Sequence, residues 1–365
     1  MSFHPEVPYN DLPDLPPSVE LETKRVLKRV IAATRALAEL KGVGGVIPDQ
    51  RILVNGVVLQ EARASSEIEN IVTTTDELYR ALDESFMGAS PGAKEVLRYR
   101  EALWRGYERL DERPVGIDLM LDLVRTIVRA DAGIREAPGT RIAPPFGETI
   151  YTPPEGADLI RAKLANLEAF IHADNGLDPL VKLAVMHYQF EAIHPFADGN
   201  GRTGRVLNSL YLVERGLLDL PVLYLSGFIL ERRGQYYDLL RRVTEEGAWE
   251  DWIVYMLEAV EVTAADTRQR ISDIRGLMGD ALARAKDAGI AAAKQEMIEL
   301  IFHQPYCKIG FVTNGGLAKR ETASRYLREL EALGLLRSIR AGRDTYYVND
   351  ALISVLRRAM ESATP

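Results

Sequence analysis

His194-Pro195-Phe196-Ala197-Asp198-Gly199-Asn200-Gly201-Arg202-Thr203-Gly204-Arg205 is the stretch around which the chain is organised. The run before it, Leu180 to Ile193, carries apolar residues at 180, 183, 184, 186, 190 and 193, a helical spacing, and Pro195 disfavours further helix at His194. His194 is therefore expected at a helix end, entering a loop. Gly199, Gly201 and Gly204 allow backbone conformations closed to other residues, so that successive N–H groups can converge on one point. A second helix is expected to begin between Thr203 and Val206, with its N-terminal N–H groups and positive dipole end facing the same point.

Onto that anion cradle the stretch adds the set a magnesium nucleotide needs: Asp198 for the metal, Arg202 and Arg205 for phosphate oxygens. His194 supplies a proton acceptor near neutral pH. A glycine-rich turn with solvated charges would account for a lone glycine pair. Twelve consecutive positions agreeing on one chemistry favour a site.

The segment resembles the Fic (filamentation induced by cAMP) family, matching every fixed position of its motif HPFx[DE]GNGRxGR. The resemblance implies a mostly helical enzyme that moves AMP from ATP onto a hydroxyl of a protein side chain. Carried over by position, it makes His194 the base for the target hydroxyl and Asp198 the Mg²⁺ ligand. Gly199, Asn200 and Gly201 would hold phosphates together with Gly204 at the helix start, and Arg202 and Arg205 would bind the β and γ phosphates. Related Doc-type kinases lack the full GNGRxGR ending, so its presence favours adenylyl over phosphoryl transfer.

A second stretch, Ala64-Ser65-Ser66-Glu67-Ile68-Glu69-Asn70, fits the [S/T]xxxE[G/N] pattern of the inhibitory helix in self-restrained Fic members, with Ser65, Glu69 and Asn70 at the matching positions. Its place before the catalytic loop matches the subclass with an N-terminal inhibitory helix. Ser65 and Glu69 are four apart and share a helical face, so a helix beside the loop could present a carboxylate to an arginine. Glu69 paired with Arg205 would occupy the guanidinium that the γ phosphate needs.

The five prolines among residues 1–17 predict an extended arm. A helix from Ser18, as N-cap, to Lys41 should follow, ended by Gly42, Gly44 and Gly45. Thr75 or Asp76 is expected to cap a helix reaching Phe86, with a turn over 88–92. Ala93 to Leu110 reads as a helix with Leu97 and Trp104 on its apolar side, and Asp118 to Ala130 as another. Arg141 to Pro154 alternates β formers and breakers, which reads as a short hairpin with an unpaired edge. In the Fic family this position is a flap that docks an extended target segment, here through Thr149, Ile150 and Tyr151. His187, Glu191 and His194 have spacings compatible with metal ligands, but no second ligand-bearing helix accompanies them, so His187 and Glu191 are read as packing residues. Tyr236 and Tyr237 resemble the family's paired tyrosines and would offer an aromatic wall to adenine.

One or two long helices are expected from Trp249 to Ala288. Beyond them the charge balance changes: residues 294–358 hold 11 Lys plus Arg and 7 Asp plus Glu, within a chain of net charge −8. Helices at Thr313 to Lys319 and Glu321 to Leu333, then a hairpin from Arg337 to Val348 turning at Gly342-Arg343-Asp344, resemble a winged helix-turn-helix. Lys319, Arg320, Arg325 and Arg328 would lie on or near its recognition helix, so DNA is a candidate partner. The single Cys307 excludes an internal disulfide, no signal peptide is apparent, and no apolar run is long enough to span a bilayer. The expected protein is therefore cytoplasmic, with no membrane partner.

The fold class expected is mainly α: a Fic helical core with a small β-hairpin flap and a small C-terminal winged-helix domain. The regions are 1–110 with the inhibitory helix, 111–260 the catalytic core, 261–293 a helical linker and 294–365 the winged helix. The function expected is self-inhibited protein adenylyl transfer using ATP and Mg²⁺ on a hydroxyl of a protein target, itself included, with a homodimer as a further expectation. Hydrolytic removal of AMP by the same residues and a DNA-binding regulator with a nucleotide-sensing domain are the alternatives.

Overall fold

A computed structural model describes residues 3–44, 51–83, 88–143, 147–303, 305–341 and 344–358. The fold is mainly helical. Helix α1 (Lys24–Gly44) is followed by α2 (Arg51–Leu53), a π turn (Val54–Val58), α3 (Leu59–Ile68), α4 (Thr75–Ala81), α5 (Pro91–Glu108) and α6 (Ile117–Val128). Next come α7 (Ala157–His172), α8 (Pro179–Ile193), α9 (Asn200–Glu214), α10 (Leu225–Glu231), α11 (Arg233–Glu246) and α12 (Trp249–Asp287). The C-terminal part holds α13 (Gln295–His303), β1 (Tyr306–Cys307), α14 (Ile309–Asn314), α15 (Arg320–Ala332), β2 (Arg337–Ala341), β3 (Asp344–Val348) and α16 (Asp350–Arg357).

Helix α8 is the axis of the molecule. Apolar side chains surround it, from Leu180 and Val181 to Phe190 and Ile193, as expected of a helix enclosed by others, and it packs on α7, α9 and α12. Trp252 of α12 is completely buried and donates its indole N–H to the Ala184 carbonyl at 2.8 Å. Helix α1 lies along α12 through the stripe Val26, Val30, Ala33, Leu37 and Leu40. Both ends of α8 are thereby fixed, and its C-terminus delivers His194.

Several helix starts differ from expectation, each because another residue makes the better cap. Helix α1 begins at Lys24 rather than after Ser18: the Val26 N–H donates to the Thr23 hydroxyl at 3.3 Å, and Gly42 and Gly44 lie inside the helix. Gly45 is outside the described residues. Thr74, not Thr75 or Asp76, caps α4 by accepting from the Glu77 N–H, and the helix stops at Ala81; residues 84–87 of the stretch toward Phe86 are not described. Ser90 caps α5 with Pro91 in the first turn, so Gly92 is helical. The buried face of α5 is Val96, Tyr99 and Leu103, while Leu97 and Trp104 are half-buried.

Helix α12 is one helix of 39 residues that runs unbroken through position 260. Its buried Arg270 donates from Nη1 to the carbonyls of Val355 and Leu356, at 2.8 and 3.0 Å, and from Nη2 to that of Arg358. These are the carbonyls that the end of α16 leaves without helical partners. Arg270→Ala should cost about 3 kcal/mol, measured by chemical denaturation, because it strands both the carbonyls and the Asp266 carboxylate paired with Arg270.

The C-terminal strands form an antiparallel sheet in the order β1-β3-β2, with Arg337 opposite Val348 and Ala341 opposite Asp344. The hairpin expected over 337–348 is present, although its turn residues Gly342 and Arg343 lie outside the described set. The first of the two expected helices is α14, Ile309–Asn314, rather than Thr313 to Lys319, because Gly316 takes a left-handed φ of 70° and ends it. Ala323, Leu327 and Leu330 are buried on α15, whose Arg325 and Arg328 are engaged by Glu329 and Ser324 of the same helix. This part packs on α4: Tyr306 stacks on Tyr79 at 5.8 Å, the Tyr346 hydroxyl donates to Asp83 at 3.0 Å, and Arg357 pairs with Asp76 at 2.7 Å. Among the described residues no helix is long and apolar enough to cross a membrane.

Candidate active site

His194 ends α8 in the left-handed region, at φ 48°, with its N–H on the Phe190 carbonyl at 3.0 Å. Helix α9 begins at Asn200, earlier than the expected start between Thr203 and Val206. Of the three glycines, only Gly199 then needs a positive φ, of 81°. Gly201 and Gly204 are helical, and their lack of a Cβ serves close approach instead. A Cβ at Gly201 would strike the Glu69 carboxylate and stand 2.9 Å from Arg205 Nη1, and one at Gly204 would stand 2.5 Å from Glu191 Oε1.

The side chain of Asn200 closes the loop. It accepts from the Phe196 N–H at 2.9 Å and donates to the Phe196 carbonyl at 2.8 Å, so of the phosphate contact expected at this position only the backbone is left to make it. Asn200→Ala would leave both buried backbone groups unpaired. A loss of about 2–3 kcal/mol in denaturant unfolding is expected.

Asp198 stands at the loop mouth with 75% of its side chain exposed, one oxygen receiving the Gly199 N–H and the Arg202 guanidinium. Arg202 is buried and pairs with Glu95 of α5 at 2.8 Å. The described residues contain no group of three or more His, Cys, Asp or Glu side chains able to enclose a metal. A single open carboxylate beside the N-terminus of α9 would suit Mg²⁺, which keeps waters and shares phosphate oxygens. His187 is not available as a ligand, since Nε2 meets the Tyr236 hydroxyl at 2.9 Å and Nδ1 the Asn208 amide at 3.1 Å.

Arg205 is 2% exposed and held from α3: Nε donates to the Ser65 hydroxyl at 2.8 Å, and Nη2 to the Ser65 carbonyl at 2.9 Å and the Glu69 carboxylate at 2.8 Å. Helix α3 ends at Ile68, Glu69 is its C-cap, and Asn70 has a left-handed φ of 63°. That is the conformation Gly and Asn adopt most readily, which gives a physical reason for Gly or Asn at this motif position. Asn70 also accepts from Arg233 of α11. Burial opposes charge on Glu69, but Arg205 outweighs it and the carboxyl is held below its ordinary range. Burial likewise opposes the Arg205 charge, and its neighbours, Glu69 foremost, outweigh it.

Glu61, one helical turn and more upstream, pins α3 in place. It is completely buried, receives the Ser226 N–H and hydroxyl of α10 and the Tyr99 hydroxyl of α5, and burial still raises its pKa. His194 is pushed down to about 4 by burial and by the neighbouring Arg135, which donates from Nε to the His194 carbonyl at 2.8 Å. Its Nδ1 has no hydrogen-bond partner among the described residues. Arg135 carries no pattern in the sequence that would single it out.

The expected flap is a single antiparallel bridge, Ile142 to Tyr151, and Pro144, Pro145 and Phe146 lie outside the described residues. Its edge is not bare. The N-terminal arm runs along it, with the Tyr9 N–H on the Thr152 carbonyl, the Thr152 hydroxyl on the Pro5 carbonyl, and Phe3 stacked on Tyr151 at 5.9 Å. Thr149 is half-buried and Ile150 is 39% exposed. The Tyr151 hydroxyl donates to the Ala192 carbonyl of α8, tying the flap to the helix that carries His194. Tyr236 is a core residue, and Tyr237, 37% exposed, offers the freer ring. A cavity of about 170 Å³ joins Glu69, Glu191, His194, Arg205 and Tyr237 to the flap residues Ile150 and Tyr151.

Three family signatures match the chain: "Fic/DOC family N-terminal" over residues 27–108, "Fic/DOC family" over 117–212, and "Protein adenylyltransferase SoFic-like, C-terminal domain" over 277–352. The probable protein adenylyltransferase aq_aa38 of Aquifex aeolicus is 32% identical over 197 residues, covering 52% of this chain and 55% of that protein. Protein adenylyltransferase Fic of Drosophila grimshawi is 28% identical over 158 residues, covering 43% of this chain and 31% of its own. The chain thus spans about half the length of the first relative and less of the second. A solved Fic family protein from Desulfovibrio desulfuricans shares the fold at a TM-score of 0.58 and 20% identity, over 91% of this chain and 97% of that one.

Proposed function

Since this chain belongs to the Fic/DOC family, we propose that it is a protein adenylyltransferase, moving AMP from ATP to a hydroxyl of a protein side chain and restrained by Glu69. The observation that carries the reading is the convergence of His194, the N-terminus of α9 and Arg205 on one cavity, with Glu69 seated on Arg205 at 2.8 Å. The first-turn N–H groups of α9 receive phosphate oxygens, and Arg202 and Arg205 neutralise the polyphosphate. Asp198 holds Mg²⁺, which when bound neutralises phosphate charge. A target segment docks at the flap beside the exposed Ile150, next to the stretch at Tyr151 and Thr152 that the N-terminal arm covers. Its hydroxyl transfers a proton to His194 and attacks the α phosphate, and the bond to pyrophosphate breaks. Tyr237 lies against the base.

Hydrolytic removal of AMP would use the same groups with Glu69 orienting water. The direct pairing of Glu69 with Arg205 favours restraint of transfer instead. The test is incubation of the Glu69→Gly chain with MgCl₂ and either α-labelled or γ-labelled ATP. Protein-bound label from the α position alone is expected. Label from the γ position would assign phosphoryl transfer and overturn the reading.

A further inference from the structure

Glu191 has no role in the reaction above. It lies on α8 one turn before His194 and lines the cavity shared by Glu69, Gly201 and Arg205. Its Oε1 is closed off from solvent and accepts no hydrogen bond among the described residues. Glycine at 204 is what lets this carboxyl lie against the first turns of α9, since a Cβ there would stand 2.5 Å from Oε1. An oxygen buried without a partner opposes ionisation of its carboxyl, which is the geometric ground for a neutral acid here, while the side chain also lines the cavity.

The charged and titratable groups around it are Arg205 from α9, Glu69 from the end of α3, Tyr236, Tyr237 and Arg241 from α11, Tyr151 from the flap, and His187, Tyr188 and His194 on its own helix. Burial pushes the Glu191 carboxyl up to about 7, Arg205 pulling it down and Glu69 raising it. The tyrosines are all raised, and His187 and His194 are pushed down to about 3 and 4. Of this set Glu191 is the group that changes charge near neutrality. As a neutral carboxyl it carries one O–H donor; ionised, it can only accept, and it repels an anion.

We propose that Glu191 is a nucleotide-binding residue acting as a neutral acid, its O–H donating to a phosphate oxygen held at Arg205. The proposal rests on the reading of this cavity as an ATP site. ATP affinity is then greatest when Glu191 is protonated and falls as pH rises through neutrality. Removing Glu69 takes away a charge that raises the Glu191 carboxyl, so its titration moves down in the free Glu69→Gly chain, and a phosphate bound at Arg205 raises it again; affinity falls as pH rises between the two.

The test is calorimetric binding of ATP with Mg²⁺ between pH 6 and 8.5 to three full-length proteins: Glu69→Gly, and the same chain with Glu191→Gln or Glu191→Ala. Titration of ATP itself is common to all three. The parent should lose about tenfold in affinity across the range. Glu191→Gln, whose amide donates at every pH, should lack that loss and bind at pH 8.5 about as tightly as the parent at pH 6. Glu191→Ala should bind weakly throughout. The same pH dependence in the parent and the Gln protein would overturn the role of Glu191 while leaving the ATP site standing. No binding of ATP by any of the three would overturn the ATP site itself, and this proposal with it.

Discussion

Replacing Glu69 by glycine should raise incorporation of label from α-labelled ATP into protein by about 10- to 100-fold over the unchanged chain. The carboxylate accepts from Nη2 of Arg205 at 2.8 Å; Arg205 is 2% exposed and the Glu69 side chain 36%, so water screens the pair from the carboxylate side only. A hydrogen bond to a charged group contributes about 1.5–3 kcal/mol, and each 1.4 kcal/mol is a factor of ten in a binding constant. Ser65 would continue to hold Nε and Nη2 after the change, so the guanidinium stays aimed while its charge becomes available to phosphate. Because the Glu69 carboxyl is held below its ordinary range, the pair is complete at neutral pH and is lost only as pH falls through that depressed value. Mild acidification should therefore not mimic the substitution. Unchanged labelling in a Glu69→Gly chain that still binds ATP would show that the pair does not restrain transfer.

His194→Ala, introduced into the Glu69→Gly chain, should lower labelling by about 10²–10⁴-fold, the usual contribution of a general base. Burial and Arg135 push the imidazole down to about 4, so at neutral pH it is uncharged and ready to accept a proton. With ATP saturating, His194 itself should add no loss of rate between pH 6 and pH 8. Unchanged ATP affinity with collapsed turnover is the expected split between binding and chemistry. Near-normal turnover in the double variant would remove His194 from the proton-transfer step.

The conformation of the loop from His194 to Arg205 is legible because its determinants are local. Pro195 stops α8 at His194, Gly199 supplies one left-handed residue, and Arg202 and Arg205 follow within a turn and a half of α9. Asn70 was legible for a similar reason, as one of the few residue types suited to a left-handed φ after a helix. The mistaken starts of α1 and α4 share one cause. Ser18, Thr75 and Asp76 are capping types, as are Thr23 and Thr74, and composition does not say which side chain will reach the N–H two or three residues ahead. The two inner glycines were misread because close packing and backbone freedom select the same residue, and only the neighbours, Glu69 at Gly201 and Glu191 at Gly204, separate the two reasons.

By itself the sequence determined the mainly helical class, the end of α8 at His194, and the residue types gathered between His194 and Arg205, since each follows from periodicity or from the φ of single residues. Only the tertiary structure decided which groups face one another across long separations. It brings Glu69 to Arg205 over 136 positions, Arg135 to His194 over 59 and Glu61 to Ser226 over 165. It also distinguishes Glu191 from the many surface carboxylates. Charge state and pairing depend on burial and on Coulomb attraction between neighbours in space, and spacing along the chain carries neither.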